Sequence, residues 1–212
     1  MAPSEEPILF LWAFSPWAGK VVSYLALRKI KHSRCEQPIT LPRPDLEALG
    51  VKYRRIPLLA IGRDIYCDTL LILETLEKLY PGSNENPQIS ATNPTDRALE
   101  KLFEKWTDVV VFKPAAACIP AEMDLMKDEK FQKDREELWG RSWSAEAQNA
   151  LRPKGLADLR ADFDLLEDLL SDGRQWLQGN EGPKLADIHG EHPTEAGVVD
   201  VCLLTYTSML DL

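Results

Sequence analysis

The stretch Pro7-Ile8-Leu9-Phe10-Leu11-Trp12-Ala13-Phe14-Ser15-Pro16-Trp17-Ala18 changes grammar in its middle. Up to Phe14 it is an apolar run of the length and composition of a buried strand. Ser15-Pro16 then makes a helix start: a serine to accept an unpaired N–H, and a proline, which has none, at the first helical position. Val21, Val22, Leu25 and Ala26 recur at helical spacing, so the helix is expected to run to about Ile30. A second short strand follows around Cys35 to Ile39. Two strands joined by one helix should lie parallel.

Moving outward, Pro42, Pro44 and Gly50 break the next stretch, with room for a short helix at Asp45 to Leu49. Ile56 to Ile61 reads as a strand entered through Pro57. Gly62-Arg63-Asp64 is a turn, and Ile65 to Cys67 is its partner strand, so the two form a hairpin. Asp68-Thr69 opens another helix, whose apolar face carries Leu70, Leu73, Leu76 and Leu79. Tyr80-Pro81-Gly82 stops it. The order is βαβ followed by ββα.

Residues 82–94 are rich in Pro, Gly, Asn and Ser, a linker by composition. Beyond them the pattern is helical. Leu99, Leu102, Phe103, Trp106, Val109 and Val110 form a stripe expected to end near Lys113-Pro114. Residues 122–143 are highly charged and read as helix. Leu156, Leu159, Phe163, Leu166 and Leu169 form another stripe. The expected organisation is a strand-containing domain over 1–81, a linker over 82–94 and a helical domain over 95–212.

Composition narrows the function. The 212 residues carry 34 acidic and 25 basic side chains, a net charge of −9. That balance argues against nucleic acid or an anionic membrane as partner. Cys35, Cys67, Cys118 and Cys202 are scattered, and His32, His189 and His192 do not complete a ligand set with them. A reducing compartment, no disulfide framework and no metal are therefore expected. The apolar run at the start follows Glu5 and Glu6 rather than a basic leader, and a cytoplasmic protein is expected.

Three places could do chemistry. Ser15 sits where a helix start gathers free N–H groups and the positive end of the dipole, a setting that stabilises a thiolate. Its hydroxyl can donate to a sulfur brought by a ligand; the plainer reading is an N-cap alone. At Arg54-Arg55-Ile56-Pro57, a cis bond would turn the Ile56 backbone outward to pair with a peptide-like ligand. The arginines there could meet a carboxylate; the alternatives are an edge-strand proline and a solvated charge pair. Asp68 and Thr69 could hold an ammonium and a carboxylate, the two groups of an amino-acid head, or could simply cap their helix. Cys67 reads as a small buried apolar residue.

Taken in order, these features resemble the glutathione transferase superfamily, continuously from residue 8 to 81. The likeness is to its serine-type and omega-like classes, and the block Leu41 to Gly50 with Tyr53 to Pro57 resembles a fungal glutathione-transferase-like subgroup. The resemblance implies an α/β thioredoxin-like domain joined to an all-α domain. It implies glutathione as co-substrate, a small electrophile as second substrate, a homodimer and a role in detoxification. It makes Ser15 the catalytic donor to the glutathione thiolate and Ile56 the backbone partner of the cysteinyl unit, with Pro57 cis. Asp68 and Thr69 become the clamp on the γ-glutamyl head, and Arg55 with Arg43 hold the glycyl carboxylate. A thiol–disulfide reductase would need Cys at position 15. A non-catalytic binding or regulatory module on the same fold is the alternative.

In the second half, Trp176 to Gly179 and Gly182 to Ile188 resemble the family's entry into its central C-terminal helix. Lys184 stands where the family has Ser or Thr, so with Asp187 the capping box is incomplete. After His189 the chain reads Gly190-Glu191-His192-Pro193 and ends at Leu212, where the family continues in helices. An incomplete or altered C-terminal part is expected.

Overall fold

The structure, a computed structural model, describes residues 5–83 and 86–190. The chain after Gly190, including the expected departure from the family pattern, lies outside the described residues.

The first half is β1 (Ile8–Leu11), α1 (Pro16–Leu27), β2 (Ser33–Glu36), α2 (Pro44–Ala48), β3 (Leu58–Ile61), β4 (Asp64–Cys67) and α3 (Thr69–Leu79). The strands form one sheet in the order β2-β1-β3-β4. β1 and β2 are parallel, with Ile8 opposite Ser33 and Leu11 opposite Glu36. β3 runs antiparallel to β1, and β4 to β3. This is the expected thioredoxin-like arrangement.

Alternation along the strands feeds two cores. Leu9, Leu11, Leu59 and Ile61 pack with Val21, Leu25, Ile72 and Leu76 beneath α1 and α3. Phe10 and Leu58 point to the other face, where Leu46 of α2 covers them. A sheet buried on both faces explains why the first strand reads as an unbroken apolar run.

Some boundaries differ from the sequence reading. β1 stops at Leu11, because the Ala13 N–H goes to the Glu36 carboxylate (2.8 Å) and the Ser15 N–H to the Trp12 carbonyl (3.0 Å). α1 stops at Leu27 rather than Ile30. Lys29 takes φ 48° and forms a Schellman turn, with Lys29 N–H on Ala26 and Ile30 N–H on Leu25. Ile30 thereby returns to the core beside Leu25.

The second half is helical: α4 (Pro94–Trp106), a π-helical segment (Thr107–Val111), α5 (Phe112–Ala117), α6 (Asp124–Lys127), α7 (Glu129–Trp139), α8 (Ala145–Leu170) and α9 (Leu185–His189). The stripe expected to end at Pro114 continues to Ala117. The π segment just upstream, where Phe112 N–H reaches back to the Thr107 carbonyl, widens the turn and gives the proline ring room. The charged stretch 122–143 holds two helices, α7 being capped by the Asp128 carboxylate. α8 crosses α5 closely at Gly155, where a Cβ would lie 2.9 Å from the Pro114 carbonyl and 3.1 Å from Cys118 Sγ.

The halves share cores. Ile188 of α9 and Ile89 complete the cluster beneath α1 and α3. Ile39, from the sheet half, packs against the helical cluster of Ala116, Met126, Phe131 and Trp143. A polar network lies at the C-terminal ends of α1 and α3. The buried Arg28 guanidinium donates to Glu77 (2.6 Å), to the Tyr24 hydroxyl (2.7 Å) and to the Tyr80 carbonyl (2.6 Å). Tyr24 also donates to Glu77 (2.6 Å), as does Ser90 (2.7 Å).

Candidate functional site

Strand register decides which loops meet. Phe10 of β1 lies opposite Leu58 of β3, and Leu58 opposite Cys67 of β4. The exit from β1 to Ser15, the entry to β3 through Ile56-Pro57, and the exit from β4 to Asp68-Thr69 therefore share one end of the sheet, in that order. At about 4.8 Å per strand, the row from β1 to β4 spans ~10 Å. An extended tripeptide covers about the same distance.

At the β1 position, Ser15 caps α1, its Oγ accepting from the Ala18 N–H at 3.4 Å. The hydroxyl proton is left to donate elsewhere. Of the first N–H groups of the helix, Ser15 uses its own on Trp12 and Pro16 has none. The Trp17 N–H has no partner among the described residues. A hydroxyl donor, an unpaired amide and a helix N-terminus thus coincide at one point.

At the β3 position, the Ile56–Pro57 peptide bond is cis, as the sequence suggested. Neither the N–H nor the carbonyl of Ile56 takes a hydrogen bond among the described residues. A second cis bond, Leu41–Pro42, was not expected from the sequence.

At the β4 position, Asp68 is exposed and holds φ 78°, a conformation that L residues other than glycine seldom adopt. Its Oδ1 caps α3 through the Leu70 N–H (3.0 Å). The buried Thr69 follows, and its hydroxyl has no hydrogen-bond partner among the described residues. Burial, and after it the Asp68 charge, pushes the neighbouring Cys67 thiol above its ordinary value. A thiolate on Cys67 itself is thus disfavoured.

The three arginines of the intervening loop separate cleanly. Arg43, proposed from the sequence as a carboxylate ligand, is only 5% exposed. Its guanidinium donates to the carbonyls of Pro38 (3.0 Å), Ile39 (3.2 Å) and Arg54. It braces the loop from inside and is not presented to the sheet end, which corrects the sequence reading. Arg54 pairs with Asp134 (3.1 Å) and Glu137 (3.2 Å) of α7. Arg55 alone is exposed, with no partner among the described residues.

The helical half closes on the same end. Trp17 donates its indole N–H to Asp108 (3.2 Å), and the buried Lys20 ammonium donates to Asp108 and Thr107 (both 3.0 Å). Pro16, Trp17 and Lys20 line a cavity with Trp106, Phe112 and Phe163. Sequence reading missed Lys20, Asp108 and Asp134, because an isolated charge on a helix carries no signal of its tertiary partner.

At α9 the Asp187 carboxylate accepts from the Lys184 N–H and the Leu177 N–H, both at 2.8 Å. The reciprocal arm is missing, since an ammonium has no lone pair to offer. Among the described residues there is no group of three or more His, Cys, Asp or Glu that could hold a metal. Nor is any described helix long and apolar enough to cross a membrane.

Comparison with known proteins bears on the fold. Residues 9–84 match the glutathione S-transferase N-terminal domain family, and residues 114–196 match a domain of unknown function (DUF7962). A probable glutathione S-transferase of Solanum tuberosum is 26% identical over 95 residues, 45% of this chain and 42% of the relative. Glutathione S-transferase U1 of Arabidopsis thaliana is 27% identical over 110 residues, 51% of this chain and 47% of the relative. The chain thus aligns with somewhat under half the length of these curated relatives. Among solved structures, rice GST1 in complex with glutathione superposes with a TM-score of 0.64 at 15% identity, covering 99% of this chain and 87% of that one. A Tau-class glutathione S-transferase from mango gives 0.64 at 14% identity, covering 98% and 90%. At such identities these structures speak for the fold. With the sheet topology, the N-terminal domain match and the curated relatives pointing the same way, residues 9–84 form a glutathione S-transferase N-terminal domain, and the chain has the glutathione transferase fold.

Proposed function

We propose that this protein binds reduced glutathione across the end of its sheet and activates the thiol for conjugation to, or reduction of, a small electrophile. The observation that carries the reading is the register row, which lines up Ser15, the open Ile56 backbone and the Asp68–Thr69 helix start over the length of a tripeptide.

In this reading Asp68 takes the γ-glutamyl ammonium, while the Thr69 hydroxyl and the start of α3 take its carboxylate. The Ile56 N–H and carbonyl pair with the cysteinyl unit as an added strand would. Arg55 meets the glycyl carboxylate. The sulfur then lies at the start of α1, where the Ser15 hydroxyl donates to it and the helix dipole favours its anion. The thiol proton leaves to solvent. In conjugation the sulfur lone pair forms the new bond to the electrophile, and the leaving group departs with the electrons of the bond it breaks. The protein supplies no covalent intermediate. A cytoplasmic homodimer acting in detoxification is part of the same proposal.

A second reading, a non-catalytic module that binds glutathione or a partner, is favoured by one observation. The half that would hold the electrophile matches a domain of unknown function.

Calorimetric titration with reduced glutathione, together with Ser15→Ala, tests both. The active reading expects binding by the wild type and turnover lowered about 100-fold in the variant, with glutathione affinity nearly unchanged. The pH at which the thiolate ultraviolet band appears should rise in the variant. Binding without turnover in the wild type would favour the second reading; absence of binding would sink the active reading and leave of the second only a module that binds a partner.

A further inference from the structure

The loop between β2 and β3, residues 37–57, carries Arg43, Arg55 and Ile56, and α7 grips it at three points. The Asp134 carboxylate, whose side chain is 9% exposed, accepts from the Leu41 N–H (3.3 Å) and the Arg54 guanidinium (3.1 Å) through Oδ1. Its Oδ2 accepts from both Nε (3.0 Å) and Nη2 of Arg135. Arg135 in turn donates to the Ile39 carbonyl (3.1 Å). The Ile39 side chain packs into the helical cluster around Phe131 and Trp143. Within the loop, Arg43 ties the Ile39 side to the Arg54 side. A displacement at Asp134 therefore reaches both strands of the loop, and Arg54 is followed directly by Arg55 and Ile56.

We infer that Asp134 is a positioning residue for glutathione: from the helical half, it holds the β2–β3 loop in the shape that presents Arg55 and the Ile56 backbone. This rests on the glutathione reading above and goes beyond it, because it places a determinant of affinity on α7, which contributes no group to the sheet end. Charge supports the geometry. Burial by itself would raise the Asp134 carboxyl, but the hydrogen bonds and charge of Arg135, the Leu41 N–H and Arg54 outweigh it and hold the group ionised. A loop that is competent only part of the time lowers apparent affinity by the fraction of time it is competent. Chemistry at the sulfur, beside Ser15, is left alone.

The test uses the full chain and reduced glutathione, with Asp134→Asn and Arg54→Met made separately and together. Asparagine keeps an acceptor for Leu41 and removes the charge that holds both arginines. Expected for either single variant is a Kd and KM for glutathione raised about tenfold, with kcat at saturating glutathione changed less than about twofold. The double variant should be little worse than either single one, since both break the same link. Hydrogen–deuterium exchange provides a readout that needs no ligand. Amides of residues 38–55 should exchange faster in the variants, while those of α1 and α3 keep their rates. Faster exchange throughout the chain would make Asp134 merely structural and overturn the inference. So would faster loop exchange with unchanged glutathione affinity, or a kcat that falls with KM unmoved. Should Asp134→Asn fail to fold, Arg54→Met alone decides by the same readouts. A wild type that binds no glutathione would bring down the glutathione reading itself, a result distinct from every variant outcome.

Discussion

The two ends of α1 and α3 treat polar groups in opposite ways. At their C-terminal ends Arg28, Tyr24, Glu77 and Ser90 are committed to one another, with Arg28 almost wholly buried. At their N-terminal ends the Trp17 N–H, the Ile56 backbone, the Thr69 hydroxyl and the Arg55 guanidinium have no partners among the described residues. Buried polar groups are costly unless satisfied, so at the first end the loss of one member is expensive for those left behind. The second end leaves its donors and acceptors unpaired, with Arg55 exposed, Trp17 and Ile56 half-buried and Thr69 buried. The Arg43–Arg55 pair repeats the lesson within one loop: the buried guanidinium is a brace, and the exposed one is available for binding.

Substitutions should break this contrast in a definite order. Glu77→Ala leaves Arg28 buried without its carboxylate and should cost about 3–5 kcal/mol. In a chain of this size that is a drop in Tm on the order of 10 °C, while glutathione affinity of the folded fraction stays unchanged. A matching loss of affinity would mean the two ends are coupled. Ser15→Ala should have the reverse profile: about 100-fold in turnover, against about 1 kcal/mol of stability from the lost helix cap.

Arg55→Ala should weaken glutathione binding about tenfold, the worth of one charge-assisted contact, and shift stability by less than about 0.5 kcal/mol. Arg43→Ala should cost roughly 2 kcal/mol of stability, since three carbonyls lose their donor. Chemical denaturation of both variants beside calorimetry would show whether the two arginines exchange roles.

The smallest effect is one of pH. His189, 3% exposed, is pushed down to about 3 by burial and by the charges of Lys20 and Lys101. Folded His189 therefore stays neutral, whereas the unfolded chain takes up a proton below about pH 6.5. Its contribution is full above that value and is lost as pH falls, by about 0.7 kcal/mol between pH 7 and pH 6. His189→Gln should flatten that slope in denaturation curves recorded at both pH values.

What the sequence made legible was local. A Ser-Pro helix start, an Ile-Pro strand entry and an Asp-Thr cap each announce themselves within three residues, because the relevant forces act between chain neighbours. The sheet topology followed from their order. Arg43 could not be read this way: nothing in Leu41-Pro42-Arg43-Pro44 reveals that Pro38, Ile39 and Arg54 will surround it. Asp134 is one acid among many on a charged helix, and only packing selects it. Pro114 misled for the converse reason. A proline rule assumes an α-helical turn behind it, and the π segment supplied a wider one.

The placement of Ile188 has a bearing on the order of events at the ribosome. The core under α1 and α3 draws on a residue more than a hundred positions further along the chain than α3 itself. A nascent chain that has emerged only through α3 holds all four strands, yet the apolar surface destined for α9 is still bare. The sheet half then waits, with that face open to water or to chaperones, until the last described helix has been synthesised.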